Sequence, residues 1–391
     1  MKQARTLAIL VVVTAIAVAA AIWSQRPERS TGTGGRLFPG LIDKVNAVMK
    51  IEVVSADTSL TLKKDEKGWR VVEKDDYPAN QEEIRALVVG AAELRRIEGK
   101  TGKKELWPKL DLGSPGKGAE SIGYTLKDKN DKVLAALIVG KRRLVTRSTD
   151  IDQYYVRVPG KERAWLVEGQ IPKNRVATDW LATEVVKIAP ERVHRTTVRH
   201  SDGSVVQAIK QKPGDANFTL LGVPEGRKID SDFDVHAFAT TPADLALNDV
   251  TRLENVDFSS PTLSVKTQTF DGLVLTLEFA KHGGHQFFRI SASHDPALPE
   301  LLLPKERKKA ATSKNDEKGG AKKKPDAAAE KALKAMKDAP AITAEVERLN
   351  RRWAGWAYRV PRYHLNTLRK KIGDFLKPPP KPSKSTAKKK P

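Results

Sequence analysis

The sequence of 391 residues contains no cysteine. Disulfides and thiol chemistry are therefore excluded, and an oxidising compartment suits the chain as well as a reducing one, because nothing can mispair. Apolar residues are also scarce. At 39% they suffice for real cores but are low for a wholly globular chain, so polar segments without a core are expected beside folded ones. The usual signatures of catalysis are missing too. No glycine-rich loop is followed by Lys-Ser/Thr and a helix, no Gly-x-Ser-x-Gly elbow occurs, and no Ser/His/Asp order stands out.

Weaker chemical signals remain. His282-x-x-His285, with His294 nearby, is the one metal-like cluster. It sits between two expected strands without an acidic or cysteine ligand close by, and reads as a turn rather than a zinc site. Asp75-Asp76 and Asp150-x-Asp152 are paired carboxylates with no partner base, and read as turn formers. Val139-Gly140-Lys141-Arg142-Arg143 follows a strand and reads as a hairpin turn in preference to an anion contact. The chain is accordingly expected not to be an enzyme, with no catalytic residue, no metal ligand and no cofactor.

Charge is absent from one long run. No charged residue occurs between Arg5 and Arg26, and within Leu7–Trp23 only Thr14 is polar. As a helix this run spans roughly 30 Å, the thickness of a bilayer core. Leu7, Ile9, Leu10, Val11, Val12, Val13, Ile16, Val18 and Ile22 would face lipid, and Trp23 would sit at headgroup level. A cleaved signal peptide is the rival reading, because Ala17-Val18-Ala19 and Ala19-Ala20-Ala21 fit a small-residue cleavage site. Lys2 and Arg5 orient the body across the membrane, although Arg26 and Arg29 on the far flank weaken that bias. An uncleaved anchor makes the chain single-pass, with the body on the far side of the membrane.

The formal net charge is +22, and it is unevenly spread. Residues 305–338 and 369–391 together carry 14 of those charges. Lys322, Lys323, Lys324, Lys388, Lys389 and Lys390 are the candidate contacts to an anionic lipid or cell-wall polymer, or to a protein partner. Solvated filler is the plainer reading of such runs. Aromatic and basic residues do not interleave as in any nucleic-acid module, so no specific nucleic-acid partner is expected.

The body reads as α+β. Met49–Val54, Leu60–Lys63 and Trp69–Val72 form a meander with turn chemistry between its strands. Asn80 caps a helix that carries Ile84, Leu87, Val88, Ala91 and Leu94 at helical spacing and is read through to Arg96. Strands follow at Ile122–Lys127, Val133–Gly140, Tyr154–Val158 and Ala164–Val167. The plan then repeats: Val193–His200, Val205–Gln211 and Phe218–Leu221 resemble the first meander, and a helix-like stretch runs from about Ser231 to Leu247. Asp271–Val274 matches Asp131–Leu134, Lys281 matches Lys141, and Tyr358–Pro361 matches Val156–Pro159 at a larger offset.

These matches give two related units of antiparallel meanders, each with a covering helix, after an N-terminal transmembrane helix. The expected boundaries are an anchor and flank at 1–29, a flexible spacer at 30–36, and units at 37–188 and 189–377. A basic low-complexity insertion at about 304–340 splits the second unit, and a Pro/Lys-rich tail follows at 378–391. Trp165 lies in a strand where a core role is the default. Trp353-Ala354-Gly355-Trp356, beside Arg351 and Arg352, reads either as core or as a surface recognition patch.

The ordered set Gly68-Trp69-Arg70-Val71, Tyr77-Pro78-Ala79-Asn80, Leu94–Lys100 with Glu105-Leu106, Val139-Gly140-Lys141, Tyr155-Val156-Arg157 and Trp165-Leu166-Val167 resembles the bacterial domain-of-unknown-function family numbered 4340. The resemblance spans roughly residues 40–250. It implies an accessory envelope protein, anchored single-pass in the bacterial inner membrane with its body in the periplasm, acting beside an ABC-type transporter of the kind associated with gliding motility. It brings no catalytic residues.

Overall fold

A computed structural model describes residues 34–56, 58–143, 152–302 and 327–378. The expected anchor at Leu7–Trp23, Lys322–Lys324 and Lys388–Lys390 lie outside the described residues. Among the described residues, no helix is long and apolar enough to cross a membrane. The chain divides into two compact units between Ala182 and Thr183, where the sequence placed the boundary at 188/189. The fold is α+β, and its sheets are built from antiparallel pairs.

The first unit contains β1 (Lys50–Val54), β2 (Ser59–Asp65), β3 (Gly68–Val71), β4 (Tyr77–Pro78), α1 (Gln81–Glu93), β5 (Arg95–Gly99), β6 (Ile122–Lys127), β7 (Val133–Arg143), β8 (Gln153–Arg157) and β9 (Ala164–Glu168). Its strands form one sheet in the order β4-β3-β2-β1-β6-β7-β8-β9-β5. The period-2 pattern sets the register: Val53 stands opposite Leu60 on one side and Tyr124 on the other, and all three are buried. Asn80 caps α1 by accepting from the backbone N–H groups of Glu82 and Glu83 at 3.1 and 3.3 Å. Ile84, Leu87, Val88 and Ala91 then form its buried face.

Two expectations change here. α1 ends at Glu93, because the chain leaves the helix at Leu94 (ψ 124°) and Arg95–Gly99 pairs with β9 as a strand. Val139–Arg143 is not a turn, since β7 runs through it to Arg143. Gly140 stands there because the segment Lys104–Leu112 crosses the strand closely; a Cβ at Gly140 would lie 2.2 Å from the Leu110 carbonyl oxygen. Lys141 is tied into that crossing, donating to the Lys109 carbonyl oxygen at 3.1 Å. Asp75 and Asp76 do form a turn, with φ at +55° and +60°. Asp150 lies outside the described residues, and Asp152, immediately before β8, bonds side chains.

The second unit contains β10 (Glu184–Lys187), β11 (Val193–His200), β12 (Val205–Ile209), β13 (Thr219–Leu221), α2 (Asp232–Thr240), β14 (Asp244–Ala246), β15 (Asp249–Arg252), β16 (Leu263–Thr269), β17 (Leu273–His282), β18 (His285–His294), α3 (Ala297–Leu302), α4 (Ala327–Ala335), α5 (Ala339–Trp353), β19 (Trp356–Arg359) and α6 (Arg362–Leu368). Its main sheet runs β13-β12-β11-β16-β17-β18-β19-β15. Strand for strand this is the first unit's order from β3 to β5. The opening segments correspond as well. In the first unit, Gly34 N–H donates to Arg96 and Leu37 N–H to Leu94, at 2.8 and 2.7 Å. In the second, β10 pairs with β14.

The shared order corrects one sequence match. Tyr358-Arg359 lies in β19, which occupies the place of β9, so its counterpart is Ala164–Glu168 and not Val156-Arg157. The extra chain therefore replaces the short β8–β9 connection. It is only partly low-complexity, since α4 and α5 are formed within or beside the expected insertion. Asp338 caps α5 by accepting from the Ala341 N–H at 3.0 Å, and Ile342, Leu349 and Trp353 bury one face of the helix. The helix expected to reach Leu247 stops at Thr240: Pro242 has no N–H to continue the helical ladder, and the chain passes through a 3-10 turn at Thr241–Ala243 into β14. His282-Gly283-Gly284-His285 is a two-residue hairpin turn with both glycines at positive φ, and the two histidines pair across it. Trp353 is core, with its indole N–H donated to the Val185 carbonyl oxygen at 3.0 Å, while Trp356 lies under Arg252.

β19 meets β18 only at Phe287 and Phe288, so the far end of β18 would present an unpaired edge. Asn350 of α5 closes it. Its side-chain amide donates to the Ala292 carbonyl oxygen at 2.9 Å and accepts from the Ala292 N–H at 2.8 Å, as a strand residue would. Asn350→Leu leaves both groups unpaired and is expected to cost about 1–3 kcal/mol in chemical denaturation. Loss of amide-exchange protection at Ala292 would locate the effect.

The insertion is held to the sheet by a buried ion network. Arg192, just before β11, donates from Nε to Asp271 Oδ2 at 2.8 Å and from both terminal nitrogens to Glu345 of α5, at 2.9 and 3.3 Å. Arg192 is 3% exposed and Glu345 5%. Lys337 adds its ammonium to Glu345 at 2.7 Å and its backbone N–H to Asp271 at 2.9 Å. Thr269 donates its hydroxyl to the second oxygen of Asp271 at 2.5 Å. Burial works against the Glu345 charge, but hydrogen bonds from Arg192 and Lys337 outweigh it and hold the carboxyl below its usual range.

A candidate binding cleft in the first unit

A cleft of about 710 Å³ runs along α1 in the first unit. One wall is the helix face Ala86, Val89, Gly90 and Glu93, which recur at helical spacing. Arg36 and Arg95, bridged across the sheet edge, form one rim. Glu168 and the segment Gly169–Pro172, which follows β9, form the opposite side. Gly90 sets the width: a Cβ there would lie 2.0 Å from the Gln170 carbonyl oxygen, so only glycine lets helix and segment approach this closely.

Asp152 and Tyr154 make the polar floor. Tyr154 is buried and donates its hydroxyl to Asp152 Oδ2 at 2.7 Å, while Arg142 pairs with the other oxygen. Lys173 lies 5.4 Å from the Tyr154 ring centroid and donates to the Gly140 carbonyl oxygen at 2.8 Å. Burial first, and then the bond to Asp152, raise the Tyr154 pKa, so the phenol stays a donor at any ordinary pH. Burial likewise lowers that of Lys173. The lining has apolar walls, carboxylates at Glu93 and Glu168, and guanidinium groups at Arg36 and Arg95. Such a surface suits a ligand carrying both charge signs and apolar groups, as a polypeptide segment does.

Arg157, part of the Tyr155-Val156-Arg157 string, lies on the sheet face opposite Tyr154. Arg157 is 6% exposed, stacks 3.8 Å from the Trp107 ring centroid and donates to the Leu112 carbonyl oxygen at 3.3 Å. Leu112, Ile138 and Ala164 pack beside it. These are packing roles. The cleft residues Arg36, Glu93 and Glu168 escaped sequence reading and Asp152 was read only as a turn former, because the four come from separate segments that only the sheet order brings together. Among the described residues, no group of three or more His, Asp or Glu side chains is arranged to hold a metal ion.

Fold and cleft together define the class: a hairpin-linked α+β protein with its strand order used twice and a mixed-charge cleft beside the first helix. The chain belongs to the family described as Domain of unknown function (DUF4340), which it matches over residues 69–269, from β3 through β16. No curated protein matches the sequence. No solved structure matches it.

Proposed function

We propose that the chain is a non-enzymatic accessory subunit of an ABC-type transport complex, anchored in the bacterial inner membrane with its body in the periplasm. One observation carries most of this reading. The chain enters the body as Gly34–Leu37, paired on the edge of β5, and Arg36 of that same segment lines the cleft. Arg36 lies thirteen positions after Trp23, the end of the apolar run, so thirteen chain steps join them. Fully extended they reach at most about 45 Å, so an anchored chain holds its cleft within that distance of the membrane surface. A mixed-charge, partly apolar cleft held there is suited to grip a periplasmic segment of a membrane partner.

Purification of the full chain from its own membranes in mild detergent tests this reading. Recovery of transporter subunits, reduced when Arg36 and Arg95 are both replaced by Glu, is expected. Recovery of the chain without any such subunit, under conditions that keep these complexes intact, contradicts it. The runner-up reading is a binder of anionic lipid or cell-wall polymer through Lys322–Lys324 and Lys388–Lys390. It predicts instead that deleting 305–326 and 378–391 abolishes sedimentation with anionic vesicles.

A further inference from the structure

The second unit has a hollow at the position equivalent to the first unit's cleft. Phe233, His236, Ala237 and Thr240 of α2 line it, with the same spacing as Ala86, Val89, Gly90 and Glu93 of α1. Asp244 and Ala246 lie on β14, which pairs with β10 much as Arg95 bridges Arg36 in the first unit. Tyr363 and His364, which follow the unit's last strand, stand where Gly169–Pro172 does. The hollow measures about 400 Å³. A cavity kept at one place in two units of such different lining is a feature of the scaffold, not a packing fault.

The lining has exchanged charge for aromatic rings. Phe233 is 77% exposed and Tyr363 64%, the two most exposed large hydrophobic side chains among the described residues. They rise from two different helices at one hollow. Small or polar groups lie between them. Thr240 and Thr241 donate their hydroxyls to backbone carbonyl oxygens at 2.9 and 2.7 Å, which leaves the oxygens able to accept. Burial lowers the pKa of both His236 and His364, so each imidazole is neutral at pH 7 and offers a donor and an acceptor.

We infer that this hollow binds a neutral saccharide, with the apolar faces of sugar rings laid on Phe233 and Tyr363 and the hydroxyls bonded to Thr240, Thr241, Asp244 and the imidazoles. The chemistry selects against the other classes. A wholly apolar ligand would strip water from Asp244, the threonines and the imidazoles without replacing it. An anion would find no lysine or arginine in the lining. A cation would compete with Lys187, whose ammonium already sits 2.7 Å from Asp244 Oδ2. A polyhydroxyl ring offers both an apolar face and hydrogen-bonding groups at once.

Titration of the full chain with maltotetraose, cellotetraose and chitotetraose, read by calorimetry or saturation-transfer NMR, is the test. At least one tetrasaccharide is expected to bind, and Phe233→Ala and Tyr363→Ala are each expected to weaken it about tenfold or more. Both side chains are exposed, so the variants keep their fold, and circular dichroism checks this. Arg95→Glu in the first unit's cleft leaves sugar binding intact, which separates this inference from the transport reading. No binding of any of the three sugars at about 10 mM overturns it. So does binding that both substitutions leave unchanged, or binding of choline in place of a sugar.

Discussion

Replacing Glu345 by Ala is expected to destabilise the second unit by about 3–5 kcal/mol, the cost of leaving a buried cation without its partner. The substitution strips Arg192 of two hydrogen bonds and Lys337 of one, while Asp271 alone remains to balance Arg192. Arg192→Ala is expected to cost a similar amount, because it abandons both Asp271 and Glu345. The double variant should cost less than the sum of the two, since the partners act as one unit. Glu347→Ala, on the exposed face of the same helix, is the control and should stay within about 0.5 kcal/mol. The network also carries a pH signature. The folded-state pKa of Glu345 lies below its ordinary value of 4.5, so its contribution is fully present at neutral pH. It is lost only as pH falls from that value through the lower folded one. Denaturation midpoints of the wild-type chain and of Glu345→Gln, measured between pH 7 and pH 3, should therefore converge at the acid end.

The second large effect is expected at Gly140. An alanine there places its Cβ 2.2 Å from the Leu110 carbonyl oxygen and 2.8 Å from that of Asp111, both of them backbone. No side-chain rotation relieves this, so the segment Lys104–Leu112 must lift off β7, at about 2–3 kcal/mol. Lifting it separates Trp107 from the guanidinium of Arg157, which should change tryptophan fluorescence along with stability. Gly113→Ala, three residues beyond Leu110 and open to space on every side, should be nearly silent. A destabilisation equal at the two sites would mean that Gly140 is in a turn, as its basic neighbours suggest.

Much of the framework was legible because it follows local rules. Alternation placed most of the strands, Asn80 and its two glutamates placed the start of α1, and the Gly-Gly pair placed the β17–β18 turn. The repeat was visible as an ordered set of weak matches, and the strand order gives that set its physical meaning. What escaped reading is non-local. Arg192 and Glu345 lie 153 positions apart, and nothing near either announces the other. The cleft draws on four segments for the same reason. The misassignment of Tyr358-Arg359 arose because a shared Arg-Val-Pro string outweighed topology. α5 was legible in part: Asp338, Pro340 and the spacing of Ile342, Leu349 and Trp353 are helix signals, masked by the basic, alanine-rich stretch before them. Gly90 and Gly140 show the same limit, since the backbone that each admits belongs to a distant part of the chain.

We propose the first unit's cleft as the place where this chain meets a membrane transport partner. The most direct measurement places a photo-activated cross-linking residue at Glu93, on the cleft rim, and irradiates intact membranes. The account predicts an adduct with a subunit of an ABC-type transporter, absent when the same cross-linker replaces Lys129 in the exposed β6–β7 turn. Adducts from the cleft position that contain no transporter subunit, in membranes where the chain is retained, would contradict it.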